Sequence, residues 1–283
     1  MLPGYYNVFP PKKTNVSIAS REPIPGQGAR NVVILNKDIA AGEVIYKVSR
    51  NFEHRSVLTP FQEQPVVAVL DSDLIGKGAY CDHCLCVLDQ ENATQYPDSS
   101  PSSFPSTFCS VACQQAAKTQ YQNLLFSSES PLPEQLSAAL PPTMEEARRK
   151  AQAEFAEYVR KEGKAGPLLV ARFIARQVAV EVQKMGSGSG LSRPKVVSDF
   201  TDADTGEEDG YGLADHIERL RFLEVQPNVT ESVALAGVLN AALPGLEEFV
   251  TQERLATLSG KMMYNAFGVS YGSGRDDKVR SAF

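Results

Sequence analysis

The sequence predicts an α+β chain: a β-rich N-terminal part, a small cysteine-bearing insert, and a helical part. Three observations predict it. β-Branched runs fall in the first 70 residues, all five cysteines lie between 81 and 113, and from Thr143 onward apolar residues recur at helical spacing. A length of 283 residues suits two domains, or one with an insert. With 42% apolar and 22% charged residues, a wholly disordered chain is excluded. The net charge of −6 argues against broad attraction to nucleic-acid phosphates or anionic membranes. No apolar run approaches the ~20 residues of a membrane-spanning helix, and Met1 to Pro11 lacks the apolar core of a secretory signal. The expected setting is therefore the cytoplasm or nucleus, with neither membrane nor direct nucleic-acid contact. Three histidines leave little room for His-based catalysis.

The β-rich part is placed at 12–77. Arg30 to Ile39 holds the run Val32, Val33, Ile34; Ala40 to Glu43 reads as a turn, and Val44 to Val48 as the next strand. Pro65 to Leu70 reads as a further short strand. The cysteine insert occupies 78–126 and contains a polar, proline-broken loop from Pro97 to Thr107. A linker at 127–142 carries four prolines. The helical part is placed at 143–260. Thr143 and Glu146 form a capping-box pattern for a helix reaching Lys161 and stopping near Gly163. Pro167 suits the first position of a second helix, with Leu168, Ala171, Ile174, Ala175, Val178, Val182 and Met185 on one face. A Gly-rich acidic loop follows, up to Gly212. Further helices are expected at about 213–225, at 229–242 with Asn228 or Thr230 as cap, and at 244–259 from Pro244. The last segment, 261–283, ends Gly- and Ser-rich.

The cysteines carry the most chemistry. Cys81 and Cys84 form a CxxC knuckle, Cys109 and Cys113 a CxxxC, with 24 residues between the pairs. Paired thiolates on a tight turn supply two corners of a tetrahedron, and a second pair closes it, so one structural zinc is expected. The long spacer adds loop entropy only slowly. Reduced core thiols without metal are the competing reading; a redox CxxC would leave the second pair unexplained. Cys86 is either an alternative ligand or a small buried residue. The His83 ring, inside the knuckle, is expected to face water rather than metal.

The phrases Tyr80-Cys-Asp-His-Cys-Leu85 and Phe108-Cys-Ser-Val-Ala-Cys-Gln-Gln115 resemble the MYND-type zinc insert of SET-domain lysine methyltransferases. In the SET-and-MYND family that insert follows a phrase like Asp38-Ile-Ala-Ala-Gly-Glu-Val-Ile45. A helical insert and an Asn-x-Phe segment come later; Asn265-Ala-Phe267 resembles the latter, after Asp215 to Leu223 in the helical region. The resemblance spans most of residues 15–271, and the order of its short motifs carries it. It implies a partial SET β-fold interrupted by a MYND-like insert, followed by a helical SET insert and the start of the SET core. It also implies S-adenosylmethionine as cofactor, protein-lysine methylation as activity, and a protein or peptide substrate such as a histone tail.

Several features depart from the family pattern. No Cys or His between Gln114 and Phe126 supplies a second zinc site, so one zinc is the expected count. The family's Gly-x-Gly corresponds by spacing to Arg30-Asn31-Val32; Gly26-Gln-Gly28 lies just upstream. The family's Asn-His-Ser-Cys motif and catalytic tyrosine have no counterpart before Phe283. The expectation is an N-terminal part of a SET protein or a shortened relative, with no catalytic residue assigned and no catalysis by this chain. The rival reading is a non-catalytic zinc-binding protein-interaction module, and a third is a metal-free helical adaptor.

By the resemblance, Asn31 and Asn265 are the cofactor contacts that remain, because an amide both donates and accepts hydrogen bonds. Their alternatives are a strand-entry turn for Asn31 and a helix cap for Asn265. Tyr264 and Tyr271 are expected to pack. Asp202, Asp204, Glu207, Glu208 and Asp209 read as a solvated loop, and Arg172 and Arg176 as the solvated side of their helix.

Overall fold

The computed structural model describes residues 15–21, 30–43, 47–48, 62–63, 67–70, 74–75, 77–89, 91, 93–95, 106–127, 142–186, 217–218, 220–243 and 245–266. Several expectations lie outside them: the loop at 97–105, the linker at 128–141, the acidic loop, Gly26-Gln-Gly28, Phe267 and Tyr271. The chain divides into two compact units, 1–66 with 197–219, and 67–196 with 220–283. The fold is mixed α+β, with small two-stranded sheets and a larger helical part.

The first unit holds β1, Val16–Arg21, and β2, Arg30–Leu35. They pair antiparallel from Val16 opposite Leu35 to Arg21 opposite Arg30. The turn expected at Ala40 to Glu43 forms: the Glu43 N–H reaches the Ala40 carbonyl at 3.0 Å, and Gly42 takes a φ of +86°, which favours glycine. The partner of β2 is β1, whose Val16 and Ile18 alternate with serine and alanine. Lys47–Val48 (β3) pairs in parallel with Gln62–Glu63 (β4).

In the second unit, Val67 to Leu70 is irregular rather than a strand. The Ala68 carbonyl bonds to the Arg172 guanidinium instead of to a neighbouring strand. β5, Thr94–Gln95, pairs antiparallel with β6, Thr107–Phe108. Helix α1, Val111–Ala117, runs on through a π-helical turn, Lys118–Gln122, into a last turn, Asn123–Leu125.

Helix α2, Pro142–Glu162, starts one residue before the expected cap, so Thr143 lies in its first turn. It ends as expected at Gly163, whose φ of +62° suits a helix C-terminus. Its buried positions Arg148, Gln152, Phe155, Ala156 and Val159 follow helical spacing. Phe155 stacks on Phe126 at 6.2 Å, and the Gln152 side chain donates to the Ser127 carbonyl at 3.1 Å. Helix α3, Gly166–Gly186, is buried on most sides along Leu168 to Ala175, as a central helix must be.

Helix α4, Val229–Ala242, is capped by the Asn228 side chain, which accepts the Glu231 N–H at 3.2 Å. Two expectations fail here. Residues 221–228 are not helical. The Leu223 N–H donates to the Gly260 carbonyl at 3.2 Å, which holds the segment against the next helix. That helix, α5, is Gln252–Asn265 and does not start at 244. Its cap is Thr251, whose hydroxyl accepts the Arg254 N–H at 3.3 Å. A short 3-10 turn, Leu246–Glu248, precedes it. Among the described residues no helix is long and apolar enough to cross a membrane.

Candidate metal centre

The first cysteine pair sits on a tight hairpin. Tyr80 bridges Val87 antiparallel, and the Leu88 N–H reaches the Ala79 carbonyl at 2.9 Å. Within it, the Cys81 N–H bonds the Cys86 carbonyl at 2.8 Å and the Leu85 N–H bonds the Cys81 carbonyl at 2.9 Å. Closing so tight a turn forces a left-handed residue. Leu85 takes that conformation, with φ +60°, and its side chain is buried.

The second pair stands where β6 gives way to α1. The Asp82 N–H donates to the Thr107 carbonyl at 2.9 Å and ties the hairpin to β6. Cys109 follows β6. Ser110 caps α1 by accepting the Cys113 N–H at 3.2 Å, so Cys113 lies in the first helical turn.

These two devices bring the four sulfurs of Cys81, Cys84, Cys109 and Cys113 within 4.8 Å of one another. Cys84 and Cys109 are 3.5 Å apart, as are Cys109 and Cys113. Zinc–sulfur bonds of ~2.3 Å at tetrahedral angles place sulfurs about 3.8 Å apart, so the set can close on one ion. Cys81 and Cys113 are buried, at 0% and 1% exposure. Cys86 is not part of the cluster; its carbonyl serves the hairpin.

The sulfurs share charge unequally. Cys81 is held well below the ordinary thiol range by hydrogen bonds with Cys113 and Cys84. Cys84 is pushed up, chiefly through its bonds with Cys113 and Cys81. Burial raises Cys109, and its bond with Cys81 is the main cause raising Cys113 to about 12. Burial and mutual hydrogen bonding thus disfavour charge on most of the set. A divalent ion favours the fully deprotonated set.

Around the hairpin lies a buried polar network not anticipated from the sequence. Arg172, expected on the solvated face of its helix, is 2% exposed. Its Nη2 donates to Asp82 Oδ2 at 2.7 Å, and its Nη1 donates to the Asp82 and Ala68 carbonyls at 2.9 and 2.8 Å. Its guanidinium lies 4.4 Å from the Tyr121 ring centre. Burial works against the charge on Arg172, but Asp82, Tyr121 and Cys81 together more than offset it, and the pKa rises. Arg176 is half-buried rather than solvated, and burial lowers its pKa to about 10.

His83 also departs from expectation. Its ring is buried, stacks on Tyr121 at 5.9 Å, and bonds the Tyr121 hydroxyl through Nδ1 at 3.2 Å. Ser106 donates to Asp82 Oδ2 at 3.0 Å, and the Gln122 side chain donates to Ser106 at 3.2 Å. The aspartate in the middle of a CxxC was the one available signal. Its arginine partner lies 90 residues away in sequence and follows from no local pattern.

The two asparagines named from the resemblance fall in different units. Asn31 is in β2, opposite Ser20. Asn265 ends α5, and its amide donates to the Arg221 carbonyl at 2.8 Å and the Lys261 carbonyl at 2.7 Å. Comparison with protein families, curated proteins and solved structures finds no match for this chain.

Proposed function

We propose that this chain is a non-catalytic zinc-binding module whose closed tetrathiolate site organises a protein-interaction surface. The observation carrying the reading is the convergence of four cysteine sulfurs from two knuckles within 4.8 Å. An all-sulfur set suits Zn²⁺ in preference to hard cations such as Mg²⁺ or Ca²⁺. Four protein ligands fill a tetrahedral shell and leave no position for a substrate, so the ion's part is structural. Val87 and Val111, one beside each cysteine pair, are exposed apolar side chains, at 67% and 60%.

Chelation tests the metal part. Stripping the ion should lower the melting temperature, and added Zn²⁺ should restore it; melting indifferent to both would count against the reading. For the interaction part, Val111→Asp should retain zinc yet lose partners that the unaltered chain retains.

S-Adenosylmethionine-dependent protein-lysine methylation is the second reading. It is favoured by the order of motifs from Asp38 through Cys113 to Asn265. Calorimetry with S-adenosylmethionine separates the two: tight binding supports methylation, and no binding supports the module.

A further inference from the structure

The buried guanidinium of Arg172 touches both halves of the sulfur cluster's framework. On one side it grips Asp82, the residue after Cys81, through the carboxylate at 2.7 Å and the backbone carbonyl at 2.9 Å. On the other it lies 4.4 Å from the ring centre of Tyr121, carried on the π-helical turn that continues the Cys113 helix. Tyr121 closes the loop, with its hydroxyl 3.4 Å from the Asp82 carbonyl and 3.2 Å from His83 Nδ1. The two cysteine pairs are therefore spaced by a side chain from α3, a helix that supplies no ligand.

Charge points the same way. A divalent ion in four thiolates carries a net double negative charge, and the Asp82 carboxylate is buried beside it. Charge taken out of water needs a buried counter-charge. Arg172, paired with Asp82 at 2.7 Å, is that counter-charge.

We propose that Arg172 is a positioning residue of the metal centre, setting the separation of the two cysteine pairs, so that the helical bundle governs how tightly the ion is held. The inference rests on the zinc reading above. Groups that orient metal ligands without touching the ion typically contribute about 10–100-fold in affinity. Arg172→Met should weaken Zn²⁺ binding by about that factor, and Arg172→Lys, which keeps the charge but loses the forked grip, should fall between.

The test measures Zn²⁺ affinity by chelator competition, together with the charge-transfer spectrum of the Co²⁺-loaded protein, on the full chain. The variants are Arg172→Met, Arg172→Lys and Leu235→Ala, the last in the buried core of α4. The expected result is weakened binding and an altered spectrum for Arg172→Met, partial recovery for Arg172→Lys, and unaltered affinity for Leu235→Ala despite its lower melting temperature. Equal affinity for Arg172→Met and the unaltered chain would overturn the role. So would equal weakening by Leu235→Ala, which would reduce it to general stability. Should Arg172→Met not fold, Asp82→Asn takes its place; it weakens one side of the grip and carries the same expectation and the same contradiction. An unaltered chain that takes up no ion would overturn the zinc reading itself, and this role with it.

Discussion

Arg172 Nη2 lies 2.7 Å from Asp82 Oδ2, and both side chains are almost wholly withdrawn from water. A pair of this kind is costly to break from one side, because the remaining charge stays buried without its partner. Arg172→Met is expected to destabilise the zinc-loaded protein by about 3–5 kcal/mol. Combining it with Asp82→Asn should recover part of that loss, since no unpaired carboxylate remains. Urea unfolding of the two single variants and the double variant measures the coupling; strictly additive losses would contradict it.

Two glycines should respond in opposite directions to alanine. A Cβ on Gly260 would overlap the Leu223 carbonyl oxygen, a backbone atom held by the bond from the Leu223 N–H to the Gly260 carbonyl. Gly260→Ala is expected to cost about 1–3 kcal/mol through overpacking. Gly237 lies exposed in α4, and an alanine methyl there would meet nothing within 4 Å. Gly237→Ala should therefore gain about 0.5–1 kcal/mol from helix propensity. Thermal melts of the two variants read both signs.

Part of this arrangement was legible in the sequence, and the rest was not for physical reasons. The cysteine pairs announced themselves because metal knuckles are local: each needs two ligands on one turn. Gly163 and Asn228 were legible as helix ends because caps are local too. The partner of β2 escapes a local reading because strand pairing is settled by tertiary contacts; the alternation in Val16-Ser-Ile-Ala-Ser20 was the signal available. Residues 221–225 read as the end of a helix, but the backbone there is engaged by α5, through Leu223 at Gly260. Arg172 reads as solvated because an arginine on a helix usually is, and only the fold brings Asp82 to it.

His83 is neutral in the folded chain. Burial lowers its pKa from the ordinary 6.5 to about 4. The folded state then binds the proton less readily than the unfolded state. The stability tied to neutral His83 is full above pH 6.5 and is lost as pH falls toward 4. NMR titration should find the imidazole still unprotonated at about pH 5.5, a group of ordinary pKa being largely protonated there. A midpoint near the ordinary value would contradict the burial of the ring.

Zinc uptake should release protons. Cys84, Cys109 and Cys113 are raised and Cys81 is lowered, so the set favours keeping protons before the ion arrives. Ligation removes them, so apparent affinity should rise with pH. Calorimetry in buffers of different ionisation enthalpy counts them: a clear release of protons per ion is expected, and a count near zero would mean a preformed tetrathiolate.

Native mass spectrometry of the full chain tests the central claim most directly, since it weighs the ion on the folded protein. The unaltered chain and Cys86→Ser should each carry one zinc, while Cys81→Ser and Cys109→Ser should lose it or hold it only weakly. A folded, reduced chain with no zinc, or one whose zinc survives both of the latter substitutions intact, would contradict the four-sulfur site.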